Sequence, residues 1–142
     1  MTIKTEVTID VIIHATEDIK KYYEAFEKIF DIKSEIFSIQ NLTGHYDNPI
    51  TMLNVKLTKN DANNFIEKFI EKIPKEELEI IIEDLDELIS SAGLHLRFDK
   101  QEFVKGKLSL QEKNAIKVKI YTPVYNKKET AESYLALLER SN

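Results

Sequence analysis

The sequence predicts an α+β fold: one mostly antiparallel sheet with helices packed on one face. Three observations lead there. Six segments alternate apolar and polar residues with the two-residue period of a half-buried strand. Four others repeat apolar residues at helical spacing. None of the strands is continuously apolar, as a sheet covered on both faces would require. The predicted order is β-α-β-β-α-α-β-β-β-α.

Residues 4–14 are the first strand, with Val7, Ile9, Val11 and Ile13 on one face and Thr8, Asp10, Ile12 and His14 on the other. The period changes at Ala15-Thr16-Glu17-Asp18. Thr16 is a candidate N-cap, and Ile19, Tyr22, Tyr23, Phe26, Ile29 and Phe30 form a helical stripe ending near Asp31. Residues 33–40 alternate again, placing Ile36, and with it Phe37 and Ile39, towards the core. Gly44-His45-Tyr46-Asp47-Asn48-Pro49 reads as a loop. In the strand after it, Thr51, Leu53, Val55 and Leu57 share one face, and Ile50, Met52, Asn54 and Lys56 the other.

Two helices follow. The first is capped at Asn60 or Asp61 and uses Phe65, Ile66, Phe69, Ile70 and Ile73. Pro74 suits the first turn of the second, which carries Leu78, Ile81, Ile82, Leu85, Leu88 and Ile89 and stops at Gly93. Residues 93–110 then read as a β-hairpin turning at Asp99-Lys100-Gln101-Glu102. Phe103, Lys105 and Lys107 fall on its polar face beside His95 and Arg97. In the strand 115–125, Ile116, Val118 and Ile120 face the core, and Lys117, Lys119 and Tyr121 face away. A helix over 127–140 closes the chain, using Ala131, Tyr134, Leu135 and Leu138.

The 142 residues suit one domain, 1–142, and the 42% apolar content supports a core. The absence of cysteine excludes disulfides and thiolate chemistry. No apolar run reaches the ~20 residues of a membrane span, and the amino terminus lacks a signal-peptide core, so a cytoplasmic protein without membrane contact is expected. Abundant Lys, Glu and Ile with few Gly and Pro suit a thermophile.

The net charge of −5 is unevenly spread. Residues 67–87 sum to −6 and residues 99–128 to +5. The acids lie on the polar faces of helices, where solvated surface explains them. Arg97, Lys105, Lys107, Lys117 and Lys119, with Phe103 and Tyr121, would make a basic sheet face with interleaved aromatics. Such a face neutralises phosphates and stacks on bases. The same residues also fit a face charged for solubility or a homodimer interface. His14, His45 and His95 have no metal-ligand spacing, the three glycines make no phosphate loop, and no nucleophile–base set is legible. No cofactor, metal site or catalysis is expected.

Three segments in order carry a resemblance: His14-Ala15-Thr16-Glu17-Asp18, Gly44-His45-Tyr46-Asp47-Asn48-Pro49-Ile50, and Leu94-His95-Leu96-Arg97-Phe98-Asp99-Lys100-Gln101 with Gly106 and Leu108. They resemble the small archaeal RNA-binding protein family described as predicted exosome subunits. The resemblance implies a ribosomal protein L-five-like fold, a non-catalytic RNA-binding role, and exosome or ribosome-related proteins as partners. The chain departs from the family pattern at Asp47, where a glycine is common, and at Glu102, where a small residue is. The combined expectation assigns RNA contacts to His14, Thr16, His45, Tyr46, Asn48, Arg97, Lys100, Gln101, Lys105, Lys107, Lys117 and Lys119. The alternative is a protein-interaction or dimerisation module that uses the acidic helix pair and the open sheet face.

Overall fold

Strand β1 (Glu6–His14) is the spine of the sheet. Its alternate residues Val7, Ile9, Val11 and Ile13 are buried, and the residues between them face outward. The computed structural model describes residues 5–43, 49–123 and 130–139. After β1 come α1 (Ile19–Phe30), a 3-10 turn (Ser34–Ile36), β2 (Ser38–Thr43), β3 (Pro49–Thr58), α2 (Lys59–Lys72), α3 (Lys75–Glu83) and α4 (Leu85–Leu88). Then follow β4 (Ile89–Ser90), β5 (Gly93–Asp99), α5 (Lys100–Val104), β6 (Ala115–Tyr121) and α6 (Thr130–Glu139). The six strands form one sheet in the order β2-β3-β1-β6-β5-β4, and every neighbouring pair is antiparallel. The α+β class and the one-sided layering are those read from the alternation.

The covered face is packed by a run of phenylalanines. Phe26 meets Phe103 at 4.6 Å between ring centroids, Phe30 meets Phe65 at 4.3 Å, and Phe69 meets Phe98 at 5.7 Å. Tilted pairs at such spacings add to the burial energy. Together they join α1, α2 and α5 to the underside of β5.

The local elements differ from expectation in five places. Helix α2, expected to be capped at Asn60 or Asp61, begins at Lys59 after the N-cap residue Thr58, whose side chain makes no cap bond. Asp18, not Thr16, caps α1, its carboxylate accepting from the Lys20 N–H at 3.0 Å. Ile36 and Ile39 are exposed, because the chain makes a 3-10 turn before β2 and only Phe37 turns inward. The helix after Pro74 breaks at Asp84, and Gly93 sits in a tight β4–β5 connection rather than at a helix end. The largest difference is the second strand of the 93–110 hairpin. In its place stands α5, whose first turn is held by the Asp99 carboxylate accepting from the Glu102 N–H at 2.8 Å. The chain then returns along β5 through a Phe98–Leu110 bridge. Phe103 is therefore buried in the core and takes no place on the open face.

Gly93 is required where it stands. Its φ is +133°, and a Cβ there would lie 2.5 Å from the Ile120 carbonyl oxygen on β6. Substitution Gly93→Ala is expected to destabilise the protein by at least about 1–3 kcal/mol from backbone strain alone. Thermal unfolding followed by circular dichroism should show a lowered midpoint with an unchanged folded spectrum.

Candidate nucleic-acid interface

The antiparallel registers align open-face residues across the sheet. One row runs Lys56, Thr8, Lys119, His95, and the next runs Ser38, Asn54, Asp10, Lys117, Arg97. At about 4.8 Å per strand, four cations thus lie within roughly 15 Å across β3, β1, β6 and β5. A shallow depression of about 230 Å³ opens among them, lined by Thr8, Asp10, His95, Arg97, Lys117 and Lys119 over a base of Leu96 and Val118. Lys117 and Lys119 have no ion-pair or hydrogen-bond partner among the described residues. Arg97 donates one N–H to the Glu112 carbonyl at 3.2 Å, leaving most of its five donors free. Lys56 is held by Glu6 at 3.5 Å, and the one carboxylate in the middle, Asp10, accepts from the Asn54 amide. Tyr121 is the exposed aromatic at one end, opposite Glu6. Towards the other end the face turns apolar, with Ile12 paired to Met52 and His14 to Ile50.

The expected contact residues do not form one cluster. Arg97, Lys117 and Lys119 share the open face. His14 and Thr16 are exposed at the end of β1 and in the turn after it. Gln101, Lys105 and Lys107 are exposed on and just beyond α5, on the helix side, where Lys28 of α1 approaches Gly106. Lys105 leans towards Glu102 at 3.8 Å. His45, Tyr46 and Asn48 lie outside the described residues; Thr43 and Pro49 on either side of them pair at the His14 end of the sheet. Lys56 and Asn54 join the basic rows without having been marked by the charge pattern. Their signal is the alternation of β3, which puts them on the face opposite Leu53 and Val55.

Lys100 is structural. Its side chain is 3% exposed, and its ammonium donates to Glu17 at 2.7 Å and to the Ile12 carbonyl. The Tyr22 ring lies 5.6 Å below it. Glu17 also accepts from the His14 N–H at 2.9 Å and from the Tyr22 hydroxyl. Burial opposes the Glu17 charge, but the His14 N–H, the Lys100 ammonium and the Tyr22 hydroxyl outweigh it and hold its carboxyl below the ordinary carboxylate range. Burial, then the bond to Glu17 and its charge, push the Tyr22 phenol well above its usual value. This cluster fastens α5 to the β1–α1 turn, so Lys100 is not available to a phosphate. Among the described residues no three His, Asp or Glu side chains converge as a metal would need.

An α+β layer with a cationic, solvent-facing antiparallel sheet is the class of protein that fold and face define. A family model described as RNA binding matches residues 6–122, and the chain belongs to that family. An RNA-binding protein of Pyrococcus abyssi is 30% identical over 135 residues, 88% of this chain and 86% of its own. A crystal structure of an Archaeoglobus fulgidus protein superposes with a TM-score of 0.80 at 30% identity, covering 93% of this chain and 97% of that one. One from Sulfolobus solfataricus gives 0.75 at 29%, covering 96% and 99%.

Removing one partner of a buried ion pair strands the other charge. Glu17→Ala, which leaves the buried Lys100 ammonium unpaired, is expected to cost about 3 kcal/mol. Lys100→Met should cost less, because Glu17 keeps contact with water and with the His14 N–H. The Glu17 pKa is lowered on folding, so its contribution is complete above the unfolded value of 4.5 and is lost as pH falls through the folded value. Chemical denaturation across pH 3–7 should therefore show an acid loss of stability that is shallower in Glu17→Ala than in the parent.

Proposed function

We propose that the chain is a non-catalytic, cytoplasmic RNA-binding protein whose main contact surface is the open sheet face. Lys117, Lys119, Arg97 and Lys56 neutralise phosphates, and Tyr121 offers a ring for stacking. His14 and Thr16 add hydrogen bonds at the end of the sheet, and the family resemblance also assigns RNA contacts to His45, Tyr46 and Asn48. Gln101, Lys105 and Lys107 extend the contact around that end for a longer RNA. The observation that carries the reading is the two cross-strand rows, in which Lys117 and Lys119 stand beside Arg97 and make no ion pair among the described residues, Asp10 opposite Lys117 being engaged by Asn54. Membership of an RNA-binding family supports it independently. The L-five-like fold and attachment to exosome or ribosome-related proteins rest on the resemblance alone.

Affinity for single-stranded and hairpin RNA, measured by fluorescence anisotropy, should fall steeply with salt as counterions are released. The pair Lys117→Glu and Lys119→Glu is expected to weaken binding at least tenfold and to flatten the log–log salt slope by about 1 per lost phosphate contact. Reversal of Lys68 and Lys72 on α2 should do neither. Salt-independent binding, or equal loss from both pairs, would sink the assignment.

A further inference from the structure

A second, larger cavity of about 570 Å³ lies where β5 reaches the edge of the sheet. Leu88, Leu96 and Leu110 line it, and the exposed Ile80 stands beside them. The carboxylates of Asp84 and Glu87 line the helical side, both exposed and neither in an ion pair among the described residues. His95 and Arg97 line this cavity and also the basic depression on the open face. The two therefore adjoin at the edge of the sheet, with His95 and Arg97 between them.

Charge decides what such a cavity can accept. Carboxylates beside apolar walls repel phosphate and favour a flat, neutral group that presents N–H donors. Among the four bases, guanine alone offers two adjacent donors on its Watson–Crick edge, the ring N–H and the amino group, which match the two oxygens of one carboxylate. Adenine and cytosine each set an acceptor beside their single amino group, and uracil flanks its one N–H with carbonyls. Single-stranded RNA is read in this way, by bases splayed out of the stack and bonded along that edge.

We propose that this edge cavity binds one unpaired guanine of an RNA strand whose phosphates lie on Arg97, Lys117 and Lys119. Its ring rests on the half-buried Leu88 and Leu110, and Asp84 or Glu87 accepts its two N–H groups. This rests on the RNA-binding reading above. It adds a base preference to a surface that otherwise reads only phosphates.

The test compares short oligouridine strands carrying one central G, A, C or inosine, by anisotropy at fixed salt. The G strand should bind about tenfold tighter than the others, the scale of a good bidentate base contact. Inosine, which lacks the amino group, should lose most of that gain. Asp84→Asn with Glu87→Gln should abolish the preference while leaving the salt slope and the affinity for plain oligouridine unchanged. Unfolding midpoints matching the parent would show that the variant folds. Methyl resonances of Ile80 and Leu88 should shift with the G strand and not with oligouridine. Equal affinity for all strands with a normal salt slope overturns the guanine site and leaves RNA binding standing. No binding to any strand at low salt overturns both.

Discussion

The register of β1 is the constraint on which everything else depends. It pairs with β3 over nine residues and with β6 over five. Side chains alternate with a period of two, so one register fixes both faces at once. Val7, Ile9, Val11 and Ile13 go into the core while Thr8 and Asp10 enter the basic rows. A slip of one residue would bury Asp10 and expose Ile9. The open face has cross-strand partners of its own between β1 and β3, Glu6 diagonal to Lys56 and Asp10 directly opposite Asn54. Core and candidate site are therefore two consequences of one pairing.

That pairing also reconciles a net charge of −5 with a polyanion surface. The acids of α3 lie on a helix, and Asp84 and Glu87 line the cavity at the β5 edge of the sheet. At physiological ionic strength charges are screened over about 8 Å. A strand lying on the sheet thus responds to the local rows rather than to the sum over the molecule. Asp10, in the middle of those rows, is engaged by Asn54, so the carboxylate has a neutral partner and remains an acceptor for a hydroxyl or amino group.

Wherever burial has a simple period, the sequence is legible. The alternation of β1, β3, β5 and β6 reveals the sheet, and the stripes of α1, α2 and α6 reveal the layer that covers it. The segment after Asp99 misleads because two patterns overlap. Phe103, Lys105 and Lys107 alternate as a strand would, but Asp99 also stands three residues before Glu102, the spacing at which a side chain caps a helix start. The cap wins because a helix takes Phe103 under the sheet against Phe26 and brings Lys100 to Glu17. Both gains are long-range and invisible to a local pattern. The two basic rows were legible only residue by residue. Which lysines stand side by side depends on strand order, and no period encodes that order.

The same exchange of a strand for a helix shapes the edge of the sheet. A full hairpin would have covered β5 from end to end. Instead β4 covers only Gly93 and Leu94, and the returning chain covers Arg97 to Asp99 through the Gln111 and Ser109 backbone. His95 and Leu96 lie between these two patches. An exposed strand edge invites uncontrolled pairing, and proteins commonly blunt it with short strands or a covering helix. Here α4 and the 110–112 segment stand off rather than close over it, and the cavity is the space between them. The helix that removes Lys100 and Phe103 from the open face thus leaves His95 and Arg97 at a corner, turned towards the basic rows on one side and the apolar cavity on the other.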